Sequence, residues 1–103
     1  MRQFPALAKQ MDWLLDWYEV ACKNGLDPKN RIELYTLDNP GWDLSVNLEG
    51  TGLDIHEYFL IENIDRTDDD WCHCFVRDNV FYAPCGNCNL GESLDMFRKF
   101  IDH

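Results

Sequence analysis

Apolar residues recur at helical spacing from the start of the chain: Phe4, Leu7, Met11, Leu14, Leu15, Tyr18 and Cys22 share one face. Asp12, Asp16, Glu19 and Lys23 fall on the opposite stripe. The pattern predicts a helix over the first 24 residues. Asn24-Gly25 ends it, since glycine accepts the left-handed conformation past a helix terminus, and Asp27-Pro28 turns the chain. The period then changes. RIELYTL at 31–37 reads as a strand, and Asn39-Pro40-Gly41-Trp42 as a type II turn with glycine at positive φ. In the return strand, Trp42, Leu44, Val46 and Leu48 alternate with Asp43, Ser45, Asn47 and Glu49, so one face is buried and one is wet.

After a loop at Gly50-Thr51-Gly52, EYFLIENI at 57–64 predicts a third strand, whose apolar content places it centrally in the sheet. Asp65 to Asp70 forms an acidic connection, and WCHCFVR at 71–77 a fourth strand. Asp78-Asn79 suits a two-residue hairpin into a fifth strand at 80–84. Asn89 and Glu92 have capping-box spacing before a helix with the apolar stripe Leu90, Leu94, Phe97 and Ile101. Short links imply antiparallel neighbours. The expected fold is α+β: an antiparallel meander of about five strands packed with an N-terminal and a C-terminal helix, as one domain over 1–103.

Composition narrows the function. Hydrophobic residues make up 46% of the 103, enough to fill one core. No stretch approaches the roughly 20 apolar residues of a membrane helix. Lys9, Gln10 and Asp12 interrupt the apolar positions of the N-terminus, which is unlike a secretory signal, so a cytoplasmic protein is expected. Nineteen acids against nine bases give a net charge of −10. Such a surface disfavours nucleic acid and anionic membrane as partners and favours a basic protein.

The sharpest chemical candidate is Cys72, Cys74, Cys85 and Cys88, four thiols that could hold zinc in an adaptor or regulatory module. Pairing residue 77 with 80 sets Cys72 opposite Cys85 but Cys74 opposite residue 83. Four-fold ligation then needs the chain to curl back after Pro84; otherwise Cys72 and Cys74 are small buried hydrophobes. A redox role for Cys85 and Cys88 lacks the βαβ setting of thioredoxin-like motifs. His56, His73 and His103 assemble no local catalytic site, so neither an enzyme nor a cofactor is expected. Asp65, Asp68, Asp69 and Asp70 lack calcium-loop spacing and read as a solvated turn. Gly50 and Gly52 make no phosphate cradle, having no lysine or arginine within a dozen positions of Gly50.

Surfaces remain. Trp13 and Trp17, at i and i+4, lie between the apolar face and the acidic stripe of the first helix. They read either as core or as an aromatic anchor rimmed by carboxylates, the composition of an interface hot spot. The candidate contact residues for a basic protein are therefore Asp12, Trp13, Asp16, Trp17 and Glu19, with Asp68, Asp69 and Asp70 of the acidic connection.

WLLDWY at 13–18, TLDNPGW at 36–42, the strand start Asp70-Trp71-Cys72 and the closing NLGESLDMFRKFI at 89–101 together resemble the immunity protein 53 family. The resemblance covers almost the whole chain, and TLDNPGW is its most specific piece. It departs at Pro84-Cys85-Gly86-Asn87-Cys88, where the family is glycine-rich. Members are antidotes of bacterial polymorphic-toxin systems. The resemblance implies a protein that binds a cognate toxin domain and covers or distorts its active site, without chemistry of its own. Many such toxins are nucleases with basic clefts, which an acidic, aromatic-rich domain would fit as a phosphate mimic.

Overall fold

The amphipathic N-terminal pattern becomes helix α1, Pro5–Lys23. The structure is a computed structural model and describes residues 5–27, 32–53 and 55–102; Phe4 of the expected apolar face, Pro28, Arg31 and His103 lie outside them. The helix ends as its sequence predicts. Gly25 takes φ +104°, its N–H donates to Cys22 O at 3.2 Å, and Leu26 N–H donates to Ala21 O at 2.9 Å. These two bonds form a Schellman motif, with Leu26 buried as its hydrophobic partner.

The helix is rolled from its expected orientation. Its inner line runs through Gln10, Leu14 and Trp17 with Trp13 beside it, whereas Leu15 is 63% exposed. Two indole rings offer more apolar area than Leu15 and Tyr18, so the roll that covers them wins.

Five strands follow: β1 (Ile32–Leu37), β2 (Gly41–Asn47), β3 (Phe59–Asp65), β4 (Trp71–Arg77) and β5 (Val80–Gly86), then helix α2 (Leu90–Ile101). They form one antiparallel sheet in the order β1-β2-β5-β4-β3. The α+β class and the two terminal helices match expectation, but a simple meander does not describe the order. Strands β3, β4 and β5 do form a meander, and β5 then inserts beside β2, which makes a Greek key of β2 to β5. The cause is the 48–58 connection, which crosses the sheet end instead of reversing tightly. Asn79 pins it: its N–H donates to Ile55 O at 2.8 Å, its Oδ1 accepts from Ile55 N–H, and its C=O accepts from Leu48 N–H. In consequence β3, expected to be central, is an edge strand, and β5 occupies the centre.

The β4–β5 reversal matches its sequence. Asp78 and Asn79 take φ 51° and 62°, the two positive angles of a type I′ hairpin. The β1–β2 reversal does not. Asp38-Asn39-Pro40 makes the turn, while Gly41 is already in β2, opposite Leu37, and is not among the positive-φ glycines. Glycine is needed there for space. A Cβ on Gly41 would lie 2.4 Å from the carbonyl oxygen of Cys85 across the β2–β5 junction.

Both helices serve one face of the sheet. Leu44, Val46 and Leu48 from β2 and its exit, Cys74 and Val76 from β4, and Phe81 and Ala83 from β5 meet Leu94 and Phe97 of α2. Each such side chain contributes about 1.5–3 kcal/mol when fully buried, less for the smaller ones. Toward its N-terminus α2 lies on small residues: Ser93 Oγ donates to Ala83 O at 2.7 Å and sits 3.7 Å from Cys72 Sγ. The expected capping box is altered. Asn89 Nδ2 donates to Glu92 Oε1 at 3.1 Å and to Asp70 Oδ1 at 2.8 Å, so the asparagine joins side chains and makes no cap bond to the helix backbone. No helix among the described residues is long and apolar enough to cross a membrane.

The two glycines give opposite expectations from the same substitution. Gly41→Ala should lower unfolding stability in urea by about 2–3 kcal/mol, since the obstructing atom is backbone. Gly25→Ala, with open space around it, should cost only the left-handed strain of about 1 kcal/mol. Equal losses would contradict the close-approach reading of Gly41.

Candidate functional site

The acidic stripe of α1 is displayed to solvent. Asp12, Asp16 and Glu19 are all exposed, and Glu19 holds Lys23 at 3.0 Å. The tryptophans beside them are turned inward. Trp13 and Trp17 stack at 6.3 Å between ring centroids, and both set edges against Phe97, at 5.9 and 5.0 Å. The Arg98 guanidinium lies 5.6 Å from the Trp13 ring. Core packing therefore occupies most of both rings. Among the described residues of α1, the large apolar side chains that are exposed are Leu15 and Val20. Leu15 is three residues from Asp12 and four from Glu19, a spacing visible in the sequence.

The acidic connection between β3 and β4 is an ordered turn. Thr67 Oγ1 accepts from the N–H groups of Asp69 and Asp70, at 3.2 and 3.0 Å. Arg66 binds Glu92 with both terminal nitrogens, at 3.0 and 2.7 Å, and Asp70 at 2.9 Å. The turn is thereby joined to the first turn of α2. The Asn89 amide, and then Arg66, hold the Asp70 carboxyl below the usual carboxylate range; Arg66 does the same chiefly for Glu92. Asp70 is thus committed to a structural network, whereas Asp68 and Asp69 are exposed. Asp68 also borders a depression of about 580 Å³ with Trp71, His73 and Pro84, where His73 Nε2 lies 2.7 Å from Asp65 Oδ1.

The α1 stripe and this turn occupy separate parts of the fold, one on the outer helix and one at an end of the sheet. A further surface, which the periodicity did not single out, is the sheet face opposite the helices. Phe75 and Tyr82 stack there at 5.3 Å, Tyr58 adds to Phe75 at 5.6 Å, and Arg77 lies 6.0 Å from the Tyr82 ring. Asp43 belongs to the same face, with one buried carboxylate oxygen that has no hydrogen-bond partner; partial burial raises its pKa. Alternation in β4 and β5 carried this signal, since Phe75 and Tyr82 alternate with Cys74, Val76, Phe81 and Ala83 of the buried side.

Three of the four candidate thiols behave as core, and Cys88 is half-buried. Cys72 and Cys85 face each other in register, as the strand pairing predicts, and Cys72, Cys74 and Cys85 are fully buried. The Cys72 thiol donates to Met96 Sδ at 3.5 Å. Burial pushes Cys72 up to about 12 and moves Cys74 and Cys85 upward as well, which opposes the thiolate form that zinc requires. Among the described residues, no group of three or more His, Cys, Asp or Glu side chains is placed to hold a metal ion. Ser93 is likewise engaged inside the core, donating to Ala83, while His73 faces Asp65 on the other side of the sheet.

Fold and surface together define a small, acidic α+β protein whose displayed features are carboxylates and apolar side chains. The chain matches the Immunity protein 53 family model over residues 11–102 and belongs to that family. No curated protein and no solved structure matches the chain.

Two outcomes test these assignments. Trp17→Ala should reduce stability by about 3 kcal/mol in urea denaturation, because it empties space against Phe97; an unchanged midpoint would free the ring for a surface role. Arg66→Gln should lower stability at neutral pH, with the gap to the parent closing on acidification below about pH 4. The sign follows from depressed folded-state pKa values in Asp70 and Glu92. Their contribution is present above the unfolded values and is lost as pH falls through the folded ones. A gap independent of pH would contradict the ion-pair origin.

Proposed function

We propose that this protein is an immunity protein that binds a cognate bacterial toxin domain in the cytoplasm and neutralises it by occlusion, with no reaction of its own. The observation that carries the reading is the family match over nearly the whole chain. Charge supplies the mechanism. A net charge of −10, with Asp12, Asp16, Glu19, Asp68 and Asp69 all exposed, steers a basic partner toward the surface and raises the association rate. A nuclease is the toxin class this suits best, since its phosphate-binding cleft is basic. Apolar groups beside the acids, Leu15 among them, would slow release once contact is made. Asp43 suits the same role: a cation brought beside its partnerless oxygen would favour the charged carboxylate that partial burial disfavours. Neither nucleic acid nor membrane is expected as a partner, and no cofactor is needed.

Mixing the protein with the toxin domain encoded by the adjacent gene should give a stoichiometric complex. Its association rate should fall by about tenfold or more between low and physiological salt. Reversal of Asp12, Asp16 and Glu19 to lysine should lower that rate and flatten its salt dependence. Association that ignores salt would remove the electrostatic mechanism while leaving the binding role.

A further inference from the structure

Strand β3 is an open edge of the sheet: it pairs with β4 on one side, and no described strand lies beyond it on the other. Natural sheets blunt such edges with charged side chains, above all lysine, or with proline, cover or a strong bulge; here the charges are acidic, Glu62 and Asp65. The sequence FLIENID contains no lysine and no proline, and its register is irregular only between Leu60 and Glu62. Tyr58, Phe59 and Leu60, three consecutive residues, are 60%, 53% and 48% exposed. Because strand side chains alternate, this run puts apolar surface on both sides of the sheet. Leu60 pairs with Phe75, on the helix-free side. Phe59 pairs with Val76 and borders a groove of about 660 Å³ between β3 and α2, floored by Ile61, Met96 and Phe100.

An open backbone edge, apolar positions on both faces and an adjoining groove are the parts needed for strand addition. We propose that β3 is a docking edge at which an extended, basic segment of a partner protein adds as a further strand. The identity of that partner as the toxin rests on the function proposed above. The added strand pairs its main chain with β3 and sends alternate side chains into the groove and onto Tyr58 and Leu60. Charge selects the occupant. Glu57 and Glu62 lie in or beside the edge, and Glu62 borders the groove, whose one cation among the described residues, Lys99, is held by Asp95 at 2.9 Å, so lysine or arginine in the added strand meets opposite charge. A second copy of the chain would bring the same carboxylates, and a net charge of −10, against themselves.

Hydrogen exchange on the full chain, alone and with the adjacent-gene toxin domain, tests this. Backbone amides of 59–65 should exchange at least about tenfold more slowly in the complex. The double variant Phe59→Lys/Glu62→Lys, altered only at exposed positions, should bind at least about tenfold more weakly while keeping the parent's urea midpoint. If the variant does not fold, the exchange map of the parent protein decides alone. A complex in which β3 exchanges as in the free chain overturns this proposal and leaves the immunity role standing. Protection of β3 in a self-associated free chain also overturns it, assigning the edge to a second copy. Absence of any complex overturns both.

Discussion

Phe97 is the point through which the molecule is held together. Its ring, fully buried, meets Trp13 and Trp17 from α1 and Phe81 from the central strand, with ring centroids 4.9 to 5.9 Å away. Helix α1 is secured largely through α2, since its aromatic contacts are made there and Gln10 adds a bond to Asp95 at 2.9 Å. The geometry of aromatic edges against faces gives this cluster directional preference beyond the area it buries. It also decides what is left outside. With both tryptophans turned toward Phe97, the opposite stripe of α1 presents carboxylates, Lys9, Lys23 and a few apolar side chains. With both helices on one side of the sheet, no described element covers the other side, and no described strand lies beyond β3.

The close contacts at the other end of the core explain residues that look chemical. Cys72, Ala83, Cys85 and Ser93 are small, and their size lets α2 approach the sheet; the Ser93 hydroxyl finds a carbonyl there, and Cys72 finds Met96. Gly41 and Gly86 face each other across the β2–β5 junction for the same reason of space. A Cβ at Gly86 would stand 2.5 Å from the Asp69 carbonyl oxygen, so its absence lets the acidic turn close against the end of β5. The arginine network of Arg66, Asp70 and Glu92 then fixes that turn from the solvent side, leaving Asp68 and Asp69 as its displayed charges.

Much of this is local and therefore legible from residue order. The Schellman end at Gly25, the Asp78-Asn79 hairpin, the opposition of Cys72 and Cys85 and the exposed acids of α1 all follow from periodicity and turn chemistry acting over a few residues. What escapes is long-range. The 48–58 crossing depends on Asn79, which is distant in sequence from the backbone it binds, so the insertion of β5 beside β2 leaves no local trace. The apolar run in β3 resembles a buried strand because composition cannot tell a covered edge from an open one. The roll of α1 turns on a competition between two indole rings and Leu15, which only the position of Phe97 decides. Gly41 shows the same limit: Pro-Gly reads as turn chemistry, yet the glycine answers to a carbonyl forty-four positions further on.

The resulting molecule displays its carboxylates on the outside and keeps Cys72, Cys74, Cys85 and the Ser93 hydroxyl inside. That distribution fits the proposed recognition of a toxin by shape and negative potential. Titrating the activity of the adjacent-gene toxin with this protein tests that claim most directly. Binding alone predicts that inhibition ends at a fixed molar ratio and does not deepen with incubation time. Progressive inactivation of the toxin by substoichiometric amounts would show turnover, and would contradict it.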